Sequence, residues 1–287
     1  MTDKAFAKVN LFLDVVGKRA DGFHDIVSVM HTVSLYDELS ITVSPSTVTN
    51  INFSANVSSL DNRENLVYRA IELYLSKAKI NATVDVQLTK NIPIASGLGG
   101  GSSDAATALR LLNSRFSLFG EEEMLSLCAE LGSDVPFLYV RGTALCEGRG
   151  EKLRPVKYNG KLDFVIAIGE KRISTPAAYK NLDAAFSDFD GTVSRLGFSE
   201  YPKPDLSLNG DSWELPVYNI FETVVDEDFC GVFDLKNRLF DLGARLSLMS
   251  GSGPAVFGIF DDAEVAQKAA KELEKEGILA FCAHSTE

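Results

Sequence analysis

The chain has 287 residues, 45% of them hydrophobic and 24% charged, an ordinary globular composition with room for two domains rather than one core. Its formal net charge of −12 argues against general nucleic-acid or anionic-membrane binding, because both partners are polyanions. The longest apolar runs, such as Phe164 to Ile168, are too short to cross a bilayer, and the opening residues lack a signal-peptide core, so a cytoplasmic protein is expected.

Residues 5–15 alternate. Ala5, Ala7, Val9, Leu11, Leu13 and Val15 form one face, and Phe6, Lys8, Asn10, Phe12 and Asp14 the other, which predicts a strand. Leu39, Ile41 and Val43 alternate likewise, as do Val84, Val86 and Leu88. Between these two strands, Val67, Ala70, Ile71, Tyr74, Leu75 and Ala78 follow helical spacing, with Asn62 or Asn65 available as the cap. A second helix is expected from Ser103 to Asn113, with Ala105, Ala108, Leu109 and Leu112 inward. A third carries Met124, Leu125, Cys128 and Leu131 and stops at Gly132.

Past residue 155 the character shifts. Asp163 to Ile168 reads as a buried strand and Pro176 to Asp183 as a short helix with proline in its first turn. The stretch 187–216 is rich in Ser, Asp, Gly and Pro and reads as loop. A helix from Asp228 to Leu242 follows, then a strand (Arg245 to Met249), a glycine-rich turn and a second strand (Ala255 to Phe260). The chain closes with a helix (Asp262 to Glu276) and a strand near Leu279 to Ala283. This mixture predicts two α+β domains, divided as 1–154 and 155–287. Cys128, Cys146, Cys230 and Cys282 are far apart in sequence, which offers no zinc or redox pair and predicts buried free thiols. With only His24, His31 and His284, no histidine-based metal set is expected.

The strongest local signal is Pro93-Ile94-Ala95-Ser96-Gly97-Leu98-Gly99-Gly100-Gly101-Ser102-Ser103-Asp104, between a strand and a helix. Four glycines in five positions let the backbone approach an anion, and the helix N-terminus adds free N–H groups and a positive dipole end. Together with the Ser102 and Ser103 hydroxyls this makes a phosphate cradle. The Walker pattern is absent, and the dinucleotide fingerprint lacks its acidic strand end about twenty residues on. The plainer reading is a surface turn.

Four further motifs have plain readings of their own. Lys8 and Asn10 share the polar face of the first strand, where they suit a phosphate or hydroxyl, or merely a solvated face. In Gly17-Lys18-Arg19-Ala20-Asp21-Gly22-Phe23-His24, the ring and imidazole suit a base, or an exposed hairpin. Asp134, in Leu131-Gly132-Ser133-Asp134-Val135-Pro136, suits a general base or a helix cap. Met249-Ser250-Gly251-Ser252-Gly253-Pro254-Ala255-Val256-Phe257 is a turn between strands.

Taken in order, these motifs resemble the signatures of the GHMP kinases, a family that includes galactokinase and the homoserine, mevalonate and phosphomevalonate kinases. The resemblance covers roughly residues 5–260 and is weakest over 185–220. It implies a two-domain α+β GHMP kinase fold, with an N-terminal domain like the second domain of ribosomal protein S5 and a ferredoxin-like C-terminal domain. It also implies ATP, with Mg²⁺ bound alongside, its phosphates wrapped by Pro93, Gly97, Leu98, Gly99, Gly100, Gly101, Ser102 and Ser103. By the same likeness, Asn65 (in Asn62-x-x-Asn65-Leu66-Val67) and Lys90 lie on the adenine side, and the turn at 249–257 supports the phosphate loop. Lys8 contacts the substrate hydroxyl and the transferred phosphoryl group with Asn10 nearby, and Asp134 is the base.

The segment ending in Phe23-His24 resembles one subgroup, which phosphorylates a cytidine-diphosphate sugar alcohol on the way to terpenoid precursors. There His24 reads the cytosine edge and Phe23 stacks on it. The family more often has tyrosine at 23, so stacking survives and a hydroxyl hydrogen bond is lost. Ile173-Ser174-Thr175-Pro176-Ala177-x-Tyr179 resembles the segment that closes over substrate, with Thr175 on the diphosphate and Tyr179, often phenylalanine in the family, as the second ring. Gly148-Arg149-Gly150-Glu151-Lys152-Leu153 matches as well. The resemblance implies small-molecule partners only, with no nucleic acid, membrane or obligate protein partner. Two alternatives remain: another GHMP small-molecule kinase, or a non-catalytic nucleotide-binding regulator of the same fold.

Overall fold

The alternation at 5–15 lies inside a longer strand, β1 (Thr2–Lys18), followed by β2 (His24–Pro45). The computed structural model describes residues 1–171, 174–185, 208–209, 217–224 and 230–286. Its backbone forms two units that interleave in sequence. The first takes Met1–Ala7, Tyr36–Ile94 and Gly99–Arg141, and the second takes Lys8–Leu35, Ala95–Leu98 and Gly142–Glu287.

In the first unit, the strand expected at 39–43 is the far end of β2. It runs antiparallel to a strand expected at 84–88. The next strands are β3 (Asn50–Ala55) and β4 (Ala82–Thr89); the pairing of β2 with β4 extends from Glu38 opposite Thr89 to Pro45 opposite Ala82, while β3 runs parallel to β4. Four helices complete the unit: α1 (Leu66–Ala78), α2 (Gly100–Phe116), α3 (Glu121–Leu131) and α4 (Val135–Val140). Of the two candidate caps for α1, Asn65 is the one used; its side chain accepts the Val67 N–H at 2.9 Å, worth about 1 kcal/mol over alanine. The apolar stripe of α1 buries Val67, Ala70, Ile71, Tyr74 and Leu75 completely or nearly so, each large side chain contributing roughly 1.5–3 kcal/mol. Tyr74 keeps its hydroxyl satisfied on Asn113 at 3.0 Å. Gly132 ends α3 as expected.

In the second unit, the near end of β2 pairs antiparallel with β5 (Thr143–Gly148), from Ile26 opposite Gly148 to His31 opposite Thr143, and β5 pairs with β6 (Lys152–Pro155). The loop-like stretch 187–216 lies outside the described residues, except that a two-residue strand within it runs parallel to another: β7 is Tyr158–Asn159. The following elements are β8 (Asp163–Ile168), α5 (Thr175–Ala185), β9 (Leu208–Asn209, the partner of β7) and β10 (Tyr218–Asn219), which runs parallel to β1. The remainder is α6 (Cys230–Asp241), β11 (Leu246–Met249), β12 (Ala255–Phe260), α7 (Ala263–Lys275) and β13 (Ala280–His284). An antiparallel sheet in the order β11, β12, β8, β13 carries α6 and α7. The hairpin read at 245–260 is its β11–β12 pair, with Leu246 opposite Ile259 and Met249 opposite Val256.

Cys128 and Cys146 are buried, and burial pushes the Cys128 thiol up to about 12, so it stays an inert thiol. Cys282 departs from the buried-thiol expectation. It is exposed, on β13, which lies at the end of the four-stranded order among the described residues. Among the described residues, no helix is long and apolar enough to cross a membrane.

Candidate active site

Lys8 and Asn10 are two residues apart on β1, so their side chains share a face. That face is not solvated: Lys8 is 4% and Asn10 1% exposed. Burying such groups is tolerable only with partners. The Lys8 ammonium donates to Asn10 Oδ1 at 2.6 Å, Asn10 Nδ2 donates to Ser28 Oγ at 2.8 Å, and Ser28 Oγ donates to the Phe12 carbonyl at 2.7 Å. The Gly251 N–H also donates to Asn10 Oδ1, at 3.0 Å.

The glycine-rich loop joins this cluster through its first half. The Lys8 N–H donates to the Leu98 carbonyl at 2.9 Å. Gly97 has φ +85, and a β-carbon there would lie 2.2 Å from the Ser250 carbonyl oxygen, so only glycine fits. Ser250 Oγ donates to the Gly97 carbonyl at 3.0 Å and the Ala255 N–H to the Ser96 carbonyl at 3.0 Å. The turn at 249–257 therefore supports the loop directly.

The second half of the loop opens α2 earlier than the expected start at Ser103. Gly99, with φ +70, precedes a helix that begins at Gly100. Ser103 is 2% exposed, with its N–H on the Gly99 carbonyl at 2.9 Å, while Ser102 is half-buried. Gly100 permits close packing, since a β-carbon there would come within 3.1 Å of the Lys90 ammonium and 3.0 Å of Ile92.

Lys90 sits in the same unit between two carboxylates. Its ammonium donates to Asp37 Oδ2 and, at 2.7 Å, to Asp104 Oδ2. Asp37 Oδ1 accepts the Asn91 and Ile92 N–H groups at 2.6 and 2.8 Å. The strand exit before the loop is thus tied to the helix after it. Burial, reinforced by the Asp37 charge, pushes the Asp104 carboxyl up to about 8 despite Lys90. For Lys90 burial acts downward, but Asp104 and Asp37 outweigh it and raise the ammonium. Asn65 is half-buried and engaged in its cap, with Nδ2 also donating to the Leu60 carbonyl at 3.1 Å. Pro93 is half-buried. Asp134 precedes α4 at backbone angles −84° and −14°, and its side chain makes no cap hydrogen bond, unlike the plain reading of an acid in such a turn.

The Phe23-His24 segment follows the turn at Asp21-Gly22, where Gly22 has φ +88. Phe23 is 51% exposed, with the Arg149 guanidinium 4.9 Å from its ring centroid. His24 is held on two sides. Its ring stacks on Tyr179 with centroids 4.6 Å apart, and its Nε2 lies 2.7 Å from Asp183 Oδ1. Tyr179 in turn meets Phe221 edge-on at 5.0 Å. Thr175 Oγ1 lies 3.1 Å from Ser252 Oγ. Ile173 lies outside the described residues. Burial acts to raise the Asp183 carboxyl, but the hydrogen bonds from Lys18 and His24 prevail and hold it below its ordinary range.

Three participants escape a reading of the sequence. Asp183 had a usable signal: it is four residues after Tyr179 and eight after Thr175, on one face of α5. Ser28 and Asn219 had none, because their partners are far away in sequence. Among the described residues, no cluster of three or more His, Cys, Asp or Glu side chains forms a metal site. A buried lysine beside a glycine cradle suits the transfer of a phosphoryl group held by backbone N–H groups.

Residues 65–142 match the model of the GHMP kinase N-terminal domain, and residues 207–279 that of the GHMP kinase C-terminal domain. A 4-diphosphocytidyl-2-C-methyl-D-erythritol kinase of Clostridium botulinum (strain Kyoto, type A2) is 37% identical over 282 residues, covering 96% of this chain and 98% of its own. A crystal structure of 4-(cytidine 5'-diphospho)-2C-methyl-D-erythritol kinase aligns over 100% of both chains at TM-score 0.80 and 31% identity. The Methanococcus jannaschii mevalonate kinase, at 16% identity and TM-score 0.68 over 100% of this chain and 98% of its own, shares the fold. The chain belongs to the GHMP kinase family, and within it to the group of the 4-diphosphocytidyl-2-C-methyl-D-erythritol kinases.

Proposed function

We propose that this protein transfers the γ-phosphoryl group of ATP to the 2-hydroxyl of 4-diphosphocytidyl-2-C-methyl-D-erythritol, a step of the methylerythritol phosphate route to isopentenyl diphosphate. The observation that carries the reading is the pairing of a phosphate-type cluster (Lys8, Asn10, Gly97, Gly251) with a base-type cluster (His24, Tyr179, Asp183) in one unit of the fold. The full-length likeness to kinases named for that cytidyl substrate supports the same choice.

In this reading Pro93 and residues Gly97 to Ser103 hold the triphosphate, with Asn65 and Lys90 on the adenine side. Glycine at 97, where a β-carbon would collide with the Ser250 carbonyl oxygen, lets the loop pack on the turn at 249–257. Mg²⁺ bound with ATP supplies charge neutralisation of the phosphates. Lys8 stabilises the charge on the transferring group, and Asn10 aims the lysine. Asp134 orients the 2-hydroxyl and takes its proton as the oxygen bonds to phosphorus and ADP departs. Phe23, His24 and Tyr179 hold the cytosine, and Thr175 the diphosphate. The division into an ATP-binding domain at 1–154 and a second domain at 155–287, and a cytoplasmic site of action, belong to the same proposal.

A general base acts in the transition state rather than in ground-state binding. Asp134→Asn is therefore expected to lower kcat by about 10²–10⁴-fold with little change in KM. Steady-state kinetics of that variant at near wild-type turnover would remove Asp134 from the mechanism.

A further inference from the structure

Asn219 is 1% exposed, and its side-chain polar atoms are committed to two short stretches of backbone. β10 sets it beside β1, with Asn219 opposite Leu13 in parallel register. Its Nδ2 donates to the Met249 carbonyl at 2.7 Å and the Gly251 carbonyl at 2.8 Å, and its Oδ1 accepts the Phe221 N–H at 3.0 Å. Glu222 adds to the grip: Oε1 accepts the Met249 N–H at 2.7 Å, and Oε2 pairs with Lys236. The backbone at 249–251 is thus held from one side by the side chains of 219 and 222.

The other side of that turn faces Lys8 and the glycine loop. The Gly251 N–H donates to Asn10 Oδ1 at 3.0 Å, the oxygen that also receives the Lys8 ammonium at 2.6 Å. A carboxamide presents either its oxygen or its two N–H groups, and the neighbouring donors decide which. The Gly251 N–H donating to the oxygen, and Ser28 Oγ accepting from the NH₂ group, fix the orientation in which oxygen meets the ammonium. If the turn moved away, the amide would keep Ser28 but lose one of the two donors at its oxygen, which loosens its hold beside Lys8.

We propose that Asn219 is a positioning residue for phosphoryl transfer, acting on Lys8 through the Gly251 backbone and the Asn10 carboxamide. This rests on the kinase reading given above. Replacing the NH₂ of Asn219 by a carboxylate oxygen sets it against two carbonyl oxygens at hydrogen-bond distance, which repels the turn. Asn219→Ser removes the carboxamide without placing a charge against those carbonyls, and perturbs the turn less.

The test is a double-mutant cycle with Asn10→Ala, read as kcat, with a thermal melt of every variant. In the wild-type background, Asn219→Asp is expected to lower kcat about 10–100-fold, with the KM values for ATP and substrate within about threefold. In the Asn10→Ala background the same change is expected to cost less than about threefold, because the link is already cut. Should Asn219→Asp fail to fold, Asn219→Ser carries the same comparison with a smaller loss. Hydrogen exchange at the Gly251 amide reads the link without turnover and is expected to quicken in Asn219→Ser. Equal fold losses in both backgrounds, unchanged turnover in the wild-type background, or an unchanged Gly251 exchange rate would overturn the proposal. Wild-type turnover itself tests the kinase reading, so the two fail separately.

Discussion

His24 sits just past a glycine turn, where sequence alone leaves it an exposed hairpin residue, yet its side chain is 8% exposed. Tyr179 covers its face and Asp183 takes its Nε2. The contact at Nε2 and the stacked face together fix the orientation of the imidazole. His24→Ala removes a stack and a hydrogen bond together worth about 1.5–3 kcal/mol. The KM for the cytidyl substrate is expected to rise about 10–100-fold, with that for ATP within about twofold. Equal effects on both substrates would remove the cytosine role. At this scale motif order singles out Lys8, Asn10, His24 and Asp134 as expected site residues. Burial was not legible: the polar face of β1 is closed by Ser28, eighteen residues on, and by Gly251, which no local pattern brings near.

Among the elements, those with clean helical periodicity (α1, α3 and α7) or a short apolar run (β8, β11 and β12) were legible. β2 was legible only at its far end. Over 26–33 it is buried on both faces and mixes Ser28, His31 and Thr32 with apolar residues, so it shows neither alternation nor an apolar run. Burial pushes the His31 imidazole down to about 4, so this strand carries a neutral histidine hydrogen-bonded to Thr143 at 2.7 Å. The tie between β4 and α2 was equally hidden, since Lys90 reads as a ligand-side cation and not as the partner of Asp37 and Asp104. Lys90→Ala leaves the buried Asp37 and Asp104 carboxyl groups without the ammonium they share, and removing one partner of a buried ion pair typically costs about 3–5 kcal/mol. Denaturant unfolding is expected to show a loss of that order, and an unchanged midpoint would contradict the structural role assigned to Lys90.

For the molecule as a whole, the α+β class followed from the mixture of periods, and the family from motifs spread over most of the chain. The interleaving of the two units was out of reach. It depends on β1 and β2 each serving both units and on the glycine loop dividing between them at Leu98 and Gly99, which are long-range facts. The acidic surface fits a protein whose partners are small molecules held in a few neutralised places rather than over a broad face. The central claim is a single chemical event, and one incubation tests it. Purified protein, Mg·ATP and 4-diphosphocytidyl-2-C-methyl-D-erythritol are combined and followed by mass spectrometry. The expected result is a singly phosphorylated product and ADP in equal amounts over many turnovers. Binding of ATP with no phosphorylated product would contradict the substrate assignment and leave only the family.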